Sequence, residues 1–266
     1  MMNYLKKFGI EYNPFLKSKD IKLELSEYKQ LLFRLKHLED IKGVGIITGE
    51  PGLGKTTAIR YWTKTLNKSM YKIIYIPHST LTVMEFYREL SDQFGLEVSH
   101  SKRKNFKAIQ EEIKRLVIEN RITPVIILDE ANSLPSSILN DLKILLNFEM
   151  DSKDNIILLL IGQKVFLSTL SLKANEPLKQ RISINYSMSS LSKEESRYYI
   201  DQKLQAAGLT TPIITTEAYN QIINAANGIP RIINQVMDKA LLILCNYKAD
   251  EITEEIAMEA IDEVSL

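Results

Sequence analysis

Hydrophobic positions in the first 190 residues fall into short, mainly apolar runs separated by longer periodic segments. Runs of this kind are expected for strands covered on both faces of a sheet. They occupy residues 44–48, 72–77, 124–130, 155–162 and 182–186. In the segments between them, apolar residues recur every three or four positions, which predicts amphipathic helices, two of them near 83–94 and 106–119. This alternation predicts an α/β fold with a doubly wound parallel sheet.

Beyond about residue 190 the strand pattern stops and only helical periodicity continues. Four helices are predicted there, with breaks at glycine and proline: 193–207, 216–226, 230–247 and 253–264. We therefore expect three parts. An N-terminal segment and helix cover 1–42, an α/β domain covers 43–190, and a small all-helical domain covers 191–266.

Composition narrows the class of protein. The 266 residues are 45% hydrophobic and 25% charged with a net charge of +1, which argues against disorder and against a strongly basic nucleic-acid-binding chain. A single cysteine, Cys245, excludes a disulfide framework and a cysteine-rich metal site. No N-terminal segment resembles a signal peptide, and no apolar run reaches the roughly 18 residues that cross a bilayer. We expect a cytoplasmic protein with no membrane partner.

The strongest chemical signal is the stretch GEPGLGKTT at 49–57, which follows the first predicted strand. It fits the phosphate-binding loop pattern G-x-x-x-x-G-K-[ST]. Glycines let backbone N–H groups surround phosphate oxygens, and the following helix directs its positive end at the same anion. Lys55 adds a positive charge, and the Thr56 hydroxyl is a predicted ligand of Mg²⁺. The predicted nucleotide contacts are Gly49, Gly52, Leu53, Gly54, Lys55, Thr56 and Thr57.

A second signal is the pair Asp129-Glu130 directly after the most apolar strand. Ligands of open α/β sheets bind at the carboxyl ends of the strands, where this pair is expected. Asp129 is a predicted Mg²⁺ ligand, directly or through water, and Glu130 would polarise the water that attacks a γ-phosphate. A plain strand-to-helix corner is the alternative.

Two arginines have a possible role in ATP hydrolysis. Arg181 precedes the fifth strand, from which a cation could reach the γ-phosphate of a neighbouring subunit. Arg231 opens a helix after Gly228-Ile-Pro230 and could cover the phosphates. Arginine is more often a solvated or salt-bridged surface residue, which is the alternative for both.

Taken together, these motifs resemble the AAA+ ATPases. The residues that carry the resemblance are the loop, the Asp129-Glu130 pair, Gln163 and the segments 178–182 and 227–232. Within that family, the segments 8–15, 129–132, 160–163 and 228–231 are similar to the ExeA-like branch, which includes TniB- and TnsC-type regulators of DNA transposition. The resemblance extends over residues 4–264 and implies a helical lid after the sheet.

The resemblance also implies roles for individual residues. It places Pro14 and Phe15 near the adenine of ATP, although core packing is an equal alternative for Phe15. It makes Gln163 the sensor of the γ-phosphate, Arg181 a finger acting in trans, and Arg231 a second sensor. The branch usually has Gln at the position of Asn132, a departure that leaves the Asp-Glu chemistry intact.

The implied partners are double-stranded DNA, a transposase and a target-selector protein. An arginine acting in trans requires a homo-oligomer, either a ring or a helical filament. Family analogy points to a DNA-binding segment at Ser79, Thr80 and Thr82. Lys102, Arg103 and Lys104 would add positive charge, with solvated surface as the alternative.

Three other functions remain open. A secretion-assembly ATPase of the ExeA type would be expected to carry a transmembrane helix and a wall-binding domain, which we do not expect here. A replication initiator would be expected to append a winged helix after the lid, whereas a helicase loader would not. A nucleotide switch with little turnover is disfavoured by Glu130.

Overall fold

The computed structural model describes residues 5–17, 19, 25–77, 82–146 and 155–265. The contacts between residues divide the chain into two compact units. The sheet unit contains Lys29–Pro51 and Lys55–Met188. The helical unit contains Met1–Tyr28, Gly52–Gly54 and Ser189–Leu266.

The sheet unit is built on five parallel strands in the order β2-β3-β4-β1-β5. Their bounds are β1 Gly43–Thr48, β2 Tyr71–Ile76, β3 Thr123–Leu128, β4 Ile157–Gly162 and β5 Ile182–Ser187. This topology confirms the predicted parallel sheet. Since β4 separates β1 from β3, the carboxyl ends of these three strands form one continuous edge.

Helices precede β1 and connect successive strands. They are α1 Ser26–Ile41, which begins in the helical unit and continues into the sheet unit, α2 Lys55–Thr65, α3 Val83–Phe94, α4 Lys102–Lys114, α5 Ser136–Leu145, α6 Val165–Leu170 and α7 Glu176–Lys179. The sequence pattern predicts a start of α4 near Phe106, and this is wrong. The helix starts four residues earlier because the Ser101 hydroxyl accepts a hydrogen bond from the Lys104 amide at 3.4 Å.

The core of the sheet unit lies on both sides of the central strands. Every residue of β1 and β4 is buried, and so is every residue of β3 after Thr123. Burial of each large aliphatic side chain contributes about 1.5–3 kcal/mol, so these strands hold a rigid edge at their carboxyl ends.

The helical unit contains α8 Lys193–Ala206, α9 Thr216–Ala226, α10 Pro230–Tyr247 and α11 Glu254–Val264. Three of these helices begin at local sequence signals: Ser192 and Glu195 form a capping box, the Thr215 hydroxyl accepts from the Ala218 amide, and Pro230 occupies the first turn of α10. The expected helical C-terminal part is confirmed. In the described part of the chain, no helix combines the length and hydropathy needed to span a bilayer.

The N-terminal segment packs into the core of the helical unit. Leu5, Phe8 and Ile10 are buried there with residues of α8 to α11. The Glu11 amide donates to the Ala207 carbonyl at 2.8 Å. Gly208 allows this approach, since a Cβ at that position would lie 2.4 Å from the carbonyl oxygen of Gly9.

The Gly208→Ala substitution tests this close approach. Gly208 has a φ of +98°, so the new side chain meets both backbone strain and a steric clash, and we expect a loss of about 2–4 kcal/mol in unfolding free energy. Gly95→Ala is the matched control, because Gly95 has a φ of +74° and nothing within 4 Å of the added Cβ. It should cost about 1 kcal/mol. Urea unfolding measures both, and equal losses would contradict the close approach.

Candidate nucleotide and metal site

The glycine-rich loop joins β1 to the start of α2, the strand-loop-helix context that a phosphate-binding loop requires. Gly52 and Gly54 each have a φ of +89°, a backbone conformation that residues with a side chain rarely adopt. The Lys55 ammonium folds back on the loop and donates to the carbonyls of Gly49 at 2.8 Å and Glu50 at 2.9 Å. These bonds hold the lysine charge at the loop.

The tip of the loop belongs to the helical unit, and its glycines are sterically required. A Cβ on Gly54 would lie 2.1 Å from the Tyr28 hydroxyl, and a Cβ on Gly52 would lie 2.8 Å from Cβ of Arg231. The Arg231 amide donates to the Gly52 carbonyl at 3.2 Å. The first turn of α10 therefore lies directly against the loop tip, with the Arg231 side chain exposed.

The structure brings together the two predicted metal residues. Asp129 follows β3 and is only 7% exposed. Its Oδ2 accepts a hydrogen bond from the Thr56 hydroxyl at 2.8 Å, and its Oδ1 accepts one from the Glu130 amide at 2.9 Å. A buried carboxylate is costly unless it is hydrogen-bonded, and here both oxygens have donors.

This donor set fits a magnesium ion held partly by a nucleotide. Among the residues that the structure describes, no three His, Cys, Asp or Glu side chains cluster as a metal cage. Mg²⁺ commonly takes one or two protein oxygens and completes its shell with water and phosphate oxygens. The Thr56 hydroxyl and the Asp129 carboxylate are oxygen ligands of this kind.

Sequence reasoning missed a third member of the cluster. The Tyr75 hydroxyl on β2 donates to Oδ2 of Asp129 at 2.9 Å. Partial burial is the main reason that the pKa of Tyr75 is raised well above its usual value, and the negative charge of Asp129 raises it further. No motif marks this tyrosine, because its role depends on the pairing of β2 with β3, in which Tyr75 lies opposite Ile127.

Glu130 directs its carboxylate away from the core. It has a φ of +53°, which is unusual for a residue with a side chain, and it is exposed. The left-handed conformation costs about 1–2 kcal/mol and turns the chain sharply after Asp129. The two neighbouring carboxylates therefore differ: Asp129 is buried and hydrogen-bonded, whereas Glu130 faces solvent at the strand end.

Gln163 lies at the end of β4, between the loop after β1 and the carboxylates after β3. The backbone amide of Gln163 donates to Oδ1 of Asn132 at 3.0 Å. Gly162 permits this contact, since a Cβ there would lie 3.0 Å from the same oxygen. Asn132, the residue that departs from the branch pattern, therefore joins the segment after Asp129 to the Gln163 backbone.

Arg181 lies at the opposite edge of the sheet. It directly precedes β5, and Ile182 pairs with Val44 at the beginning of β1. The loop follows Thr48 at the other end of that strand, about 17 Å away at roughly 3.3 Å per residue. Arg181 is half-buried and cannot reach the phosphate-binding loop of its own sheet.

The two residues expected near adenine lie in the helical unit. Pro14 is buried, and Phe15 is 3% exposed within the hydrophobic core. The Lys203 ammonium, itself buried, lies 5.6 Å from the centre of the Phe15 ring. These contacts match the core-packing alternative for Phe15, and adenine contact stays a prediction.

The predicted DNA-binding residues just before α3 differ in what the structure describes. Ser79 and Thr80 lie outside the described residues. The Thr82 hydroxyl is engaged in the cap of α3, where it accepts from the Glu85 amide at 3.3 Å and donates to the Glu85 carboxylate at 2.7 Å. The Thr82 backbone amide also donates to the Glu85 carboxylate at 2.8 Å, and this bond, together with that from the hydroxyl, lowers the pKa of Glu85. Thr82 thus has a structural role that the sequence analysis did not assign.

The basic residues at the start of α4 also differ from one another. Lys102 pairs with Asp141 of α5 at 2.6 Å, so part of its charge is compensated. Arg103 and Lys104 are exposed in the same first turn, which contains no acidic residue. Cations at a helix N-terminus oppose the helix dipole, by about 0.3–1 kcal/mol each, so their placement there is not explained by stability.

Comparison with known proteins agrees with this geometry. Residues 39–170 match the family model described as an AAA domain. The chain has the P-loop AAA+ fold. The AAA domain model covers β1 to β4 and therefore includes the loop, the Asp129-Glu130 pair and Gln163.

Similar structures share the fold of both units. The crystal structure of Cdc6p from Pyrobaculum aerophilum has a TM-score of 0.75 at 17% identity, covering 94% of this chain and 70% of that protein. The Aeropyrum pernix ORC1 protein, solved in complex with DNA, has a TM-score of 0.70 at 14% identity, covering 94% and 68%. At these identities the likeness shows the AAA+ fold alone.

A relative in sequence is the general secretion pathway protein A of Aeromonas hydrophila. It is 32% identical over 245 residues, which are 90% of this chain and 44% of that protein. This chain therefore spans less than half the length of the relative.

The bond between Asn132 and Gln163 generates a prediction about local opening. Asn132→Ala removes the acceptor, so we expect the Gln163 amide to exchange with solvent about tenfold faster, as the loss of one hydrogen bond of about 1.4 kcal/mol would allow. Ser136→Ala changes an exposed residue a few positions further along the same segment and should leave this amide unchanged. Hydrogen exchange of the peptide around Gln163 measures both, and equal rates in the two variants would contradict the assigned bond.

Proposed function

We propose that the protein binds ATP with Mg²⁺ and hydrolyses it to ADP and phosphate. The observation that carries this proposal is the hydrogen bond from Thr56 to Asp129, which joins the phosphate-binding loop to the buried carboxylate. When bound, Mg²⁺ would polarise the phosphate oxygens and offset negative charge in the transition state. In this proposal Thr56 and Asp129 hold the ion.

The other residues of the site have distinct tasks. Loop N–H groups and the Lys55 ammonium bind phosphate oxygens, for which Lys55 exchanges its carbonyl partners for a stronger, charged acceptor. Glu130, whose carboxylate is exposed and acceptor-only when ionised, orients the attacking water and accepts its proton. Gln163 lies between the two and contacts the γ-phosphate through its side-chain amide.

The position of Arg181 supports an active site shared between subunits. A guanidinium at the far edge of the sheet lies too far from the loop of its own chain to contact a phosphate bound there. Arg181 then contacts the γ-phosphate bound by its neighbour, and repeating this contact produces a ring if the rotation closes and a helical filament if it does not. The Arg231 guanidinium, at the loop tip, contacts the same nucleotide as the loop.

Mixing two inactive variants tests the shared site. Lys55→Ala lacks a functional loop and Arg181→Ala lacks the arginine, so each alone should hydrolyse ATP at least about 100-fold more slowly than the wild type. In an equal mixture, about a quarter of the interfaces combine an intact loop with an intact arginine, and that fraction of activity should return. Phosphate release measures the rates.

The control mixture contains Lys55→Ala and the double variant Lys55→Ala/Arg181→Ala. It has no intact loop and should stay inactive. A mixture of the two single variants that is no more active than its components would contradict a shared site.

We further propose that ATP-dependent assembly takes place on double-stranded DNA and regulates DNA transposition by recruiting a transposase with a target-selector protein. The sequence resemblance to transposition regulators supports this role. The exposed cations Arg103 and Lys104, concentrated at one helix start, support contact with phosphate oxygens. A structural neighbour solved in complex with DNA lends support at the level of the fold.

A second candidate is an assembly ATPase of a secretion system. The 32% identity to general secretion pathway protein A supports it. The two functions differ in their ligand, because the first requires DNA for assembly and the second does not. Assembly by sedimentation with ATP and Mg²⁺, with and without DNA, separates them. A helicase loader shares the DNA requirement and is separated from a transposition regulator by its protein partner.

Charge reversal at the start of α4 tests DNA contact. Lys104→Glu should weaken binding to duplex DNA and reduce the slope of log affinity against log salt by about 1, since one phosphate contact is lost. Lys114→Glu makes the same charge change at the exposed far end of the helix and should leave the slope unchanged. Fluorescence anisotropy at several salt concentrations gives the slopes, and equal slopes would remove this cluster from the interface.

A further inference from the structure

Tyr75 is the one hydroxyl in the described cluster around Asp129 that the phosphate-binding motifs do not account for. It lies on β2, while Asp129 follows the neighbouring strand β3. The Tyr75 hydroxyl donates to Oδ2 of Asp129 at 2.9 Å, and the Thr56 hydroxyl donates to the same oxygen at 2.8 Å. One carboxylate oxygen therefore accepts two hydroxyl donors from two different elements.

Burial does not explain the choice of tyrosine at this position. Tyr75 is 38% exposed, so its ring contributes less to the core than its neighbours Ile74 and Ile76, which are 0% and 2% exposed. Its best-defined contact is the hydroxyl bond to a carboxylate that is itself 7% exposed. A hydrogen bond to a charged group is stronger than one between neutral groups, so this bond can fix the plane of the carboxylate.

Binding of a nucleotide with Mg²⁺ would affect the Thr56 and Tyr75 hydroxyls differently. The Thr56 oxygen lies next to Lys55 in the loop and is a proposed ligand of Mg²⁺, so its hydrogen bond has to adjust when the ion enters. Tyr75 is anchored on a sheet strand, where pairing with β3 fixes its backbone. Its hydroxyl can therefore hold Asp129 in one orientation while Thr56 changes partner.

We propose that Tyr75 is a positioning residue for Mg²⁺: its hydroxyl holds the Asp129 carboxylate in the orientation that receives the nucleotide-bound ion. This inference rests on the proposed function of the same site. Groups that orient a metal ligand typically alter metal affinity by 10- to 100-fold when they are removed. Nucleotide binding without metal depends on the loop and Lys55, and Tyr75 does not contribute to it.

The test measures binding of a fluorescent ADP analogue in EDTA and with increasing Mg²⁺. The three proteins compared are the wild type, Tyr75→Phe, which removes only the hydroxyl, and the matched control Tyr71→Phe on the same strand. For Tyr75→Phe we expect the Mg²⁺ concentration at half-effect to rise about tenfold. Its affinity in EDTA should equal that of Tyr71→Phe.

A double-mutant cycle provides a second, independent readout. In an Asp129→Asn background the charged partner is absent, so adding Tyr75→Phe should change the Mg²⁺ requirement by less than about twofold. An equal tenfold change in both backgrounds would show that Tyr75 acts by another route and would overturn the inference.

The remaining outcomes are also decisive. If Tyr75→Phe and Tyr71→Phe need the same Mg²⁺ concentration, Tyr75 does not position the ligand. If Tyr75→Phe weakens binding equally with and without Mg²⁺, its role is structural and the inference is wrong. If the wild type binds no nucleotide, the proposed function fails, whereas Mg²⁺-dependent binding by the wild type with an unaffected Tyr75→Phe overturns only the inference.

Discussion

The hydrogen bond between the Thr56 hydroxyl and the Asp129 carboxylate is the contact on which the rest of the site depends. It joins the first turn of α2, which follows the loop after β1, to the residue that follows β3, at 2.8 Å. Asp129 is nearly buried, and a buried carboxylate without donors would be destabilising. The same oxygens that stabilise one another in the protein are the oxygens that a hard cation prefers.

The parallel sheet makes the contact between Thr56 and Asp129 possible and also keeps the charge of Arg181 far from it. Since all five strands are parallel, the carboxyl ends of β1, β3 and β4 share one edge, and the segment before β5 lies at the other. Arg181 therefore lies about 17 Å along the sheet from the loop, by the spacing of strand residues. In our account this distance makes assembly a requirement for hydrolysis, because only a second copy can supply the Arg181 guanidinium.

Much of the fold is readable in the sequence because its signals are local. Continuous apolar runs gave the five strands, and the bounds of α3, α9 and α10 agree with the sequence pattern because caps, Gly and Pro define their ends. The early start of α4 was missed because a single capping residue, Ser101, outweighs the apolar stripe that begins at Phe106.

The site was only partly readable, for a different physical reason. Loop and carboxylates form contiguous motifs, so Thr56 and Asp129 could be paired in advance. Tyr75 and the bond between Asn132 and Gln163 depend on which strands are neighbours, and sequence spacing carries no such information. The packing of the N-terminal segment into the helical unit likewise depends on a contact between Gly9 and Gly208, which are far apart in sequence.

A structure of the Glu130→Gln protein with ATP and Mg²⁺ tests the central claim most directly, because the substitution should preserve binding while slowing hydrolysis. Our account predicts a triphosphate in the loop at 49–57, the Lys55 ammonium on its oxygens, and the ion about 2.1 Å from the Thr56 hydroxyl with Asp129 at or beside it. A nucleotide bound elsewhere, or an ion that contacts neither Thr56 nor Asp129, would contradict it.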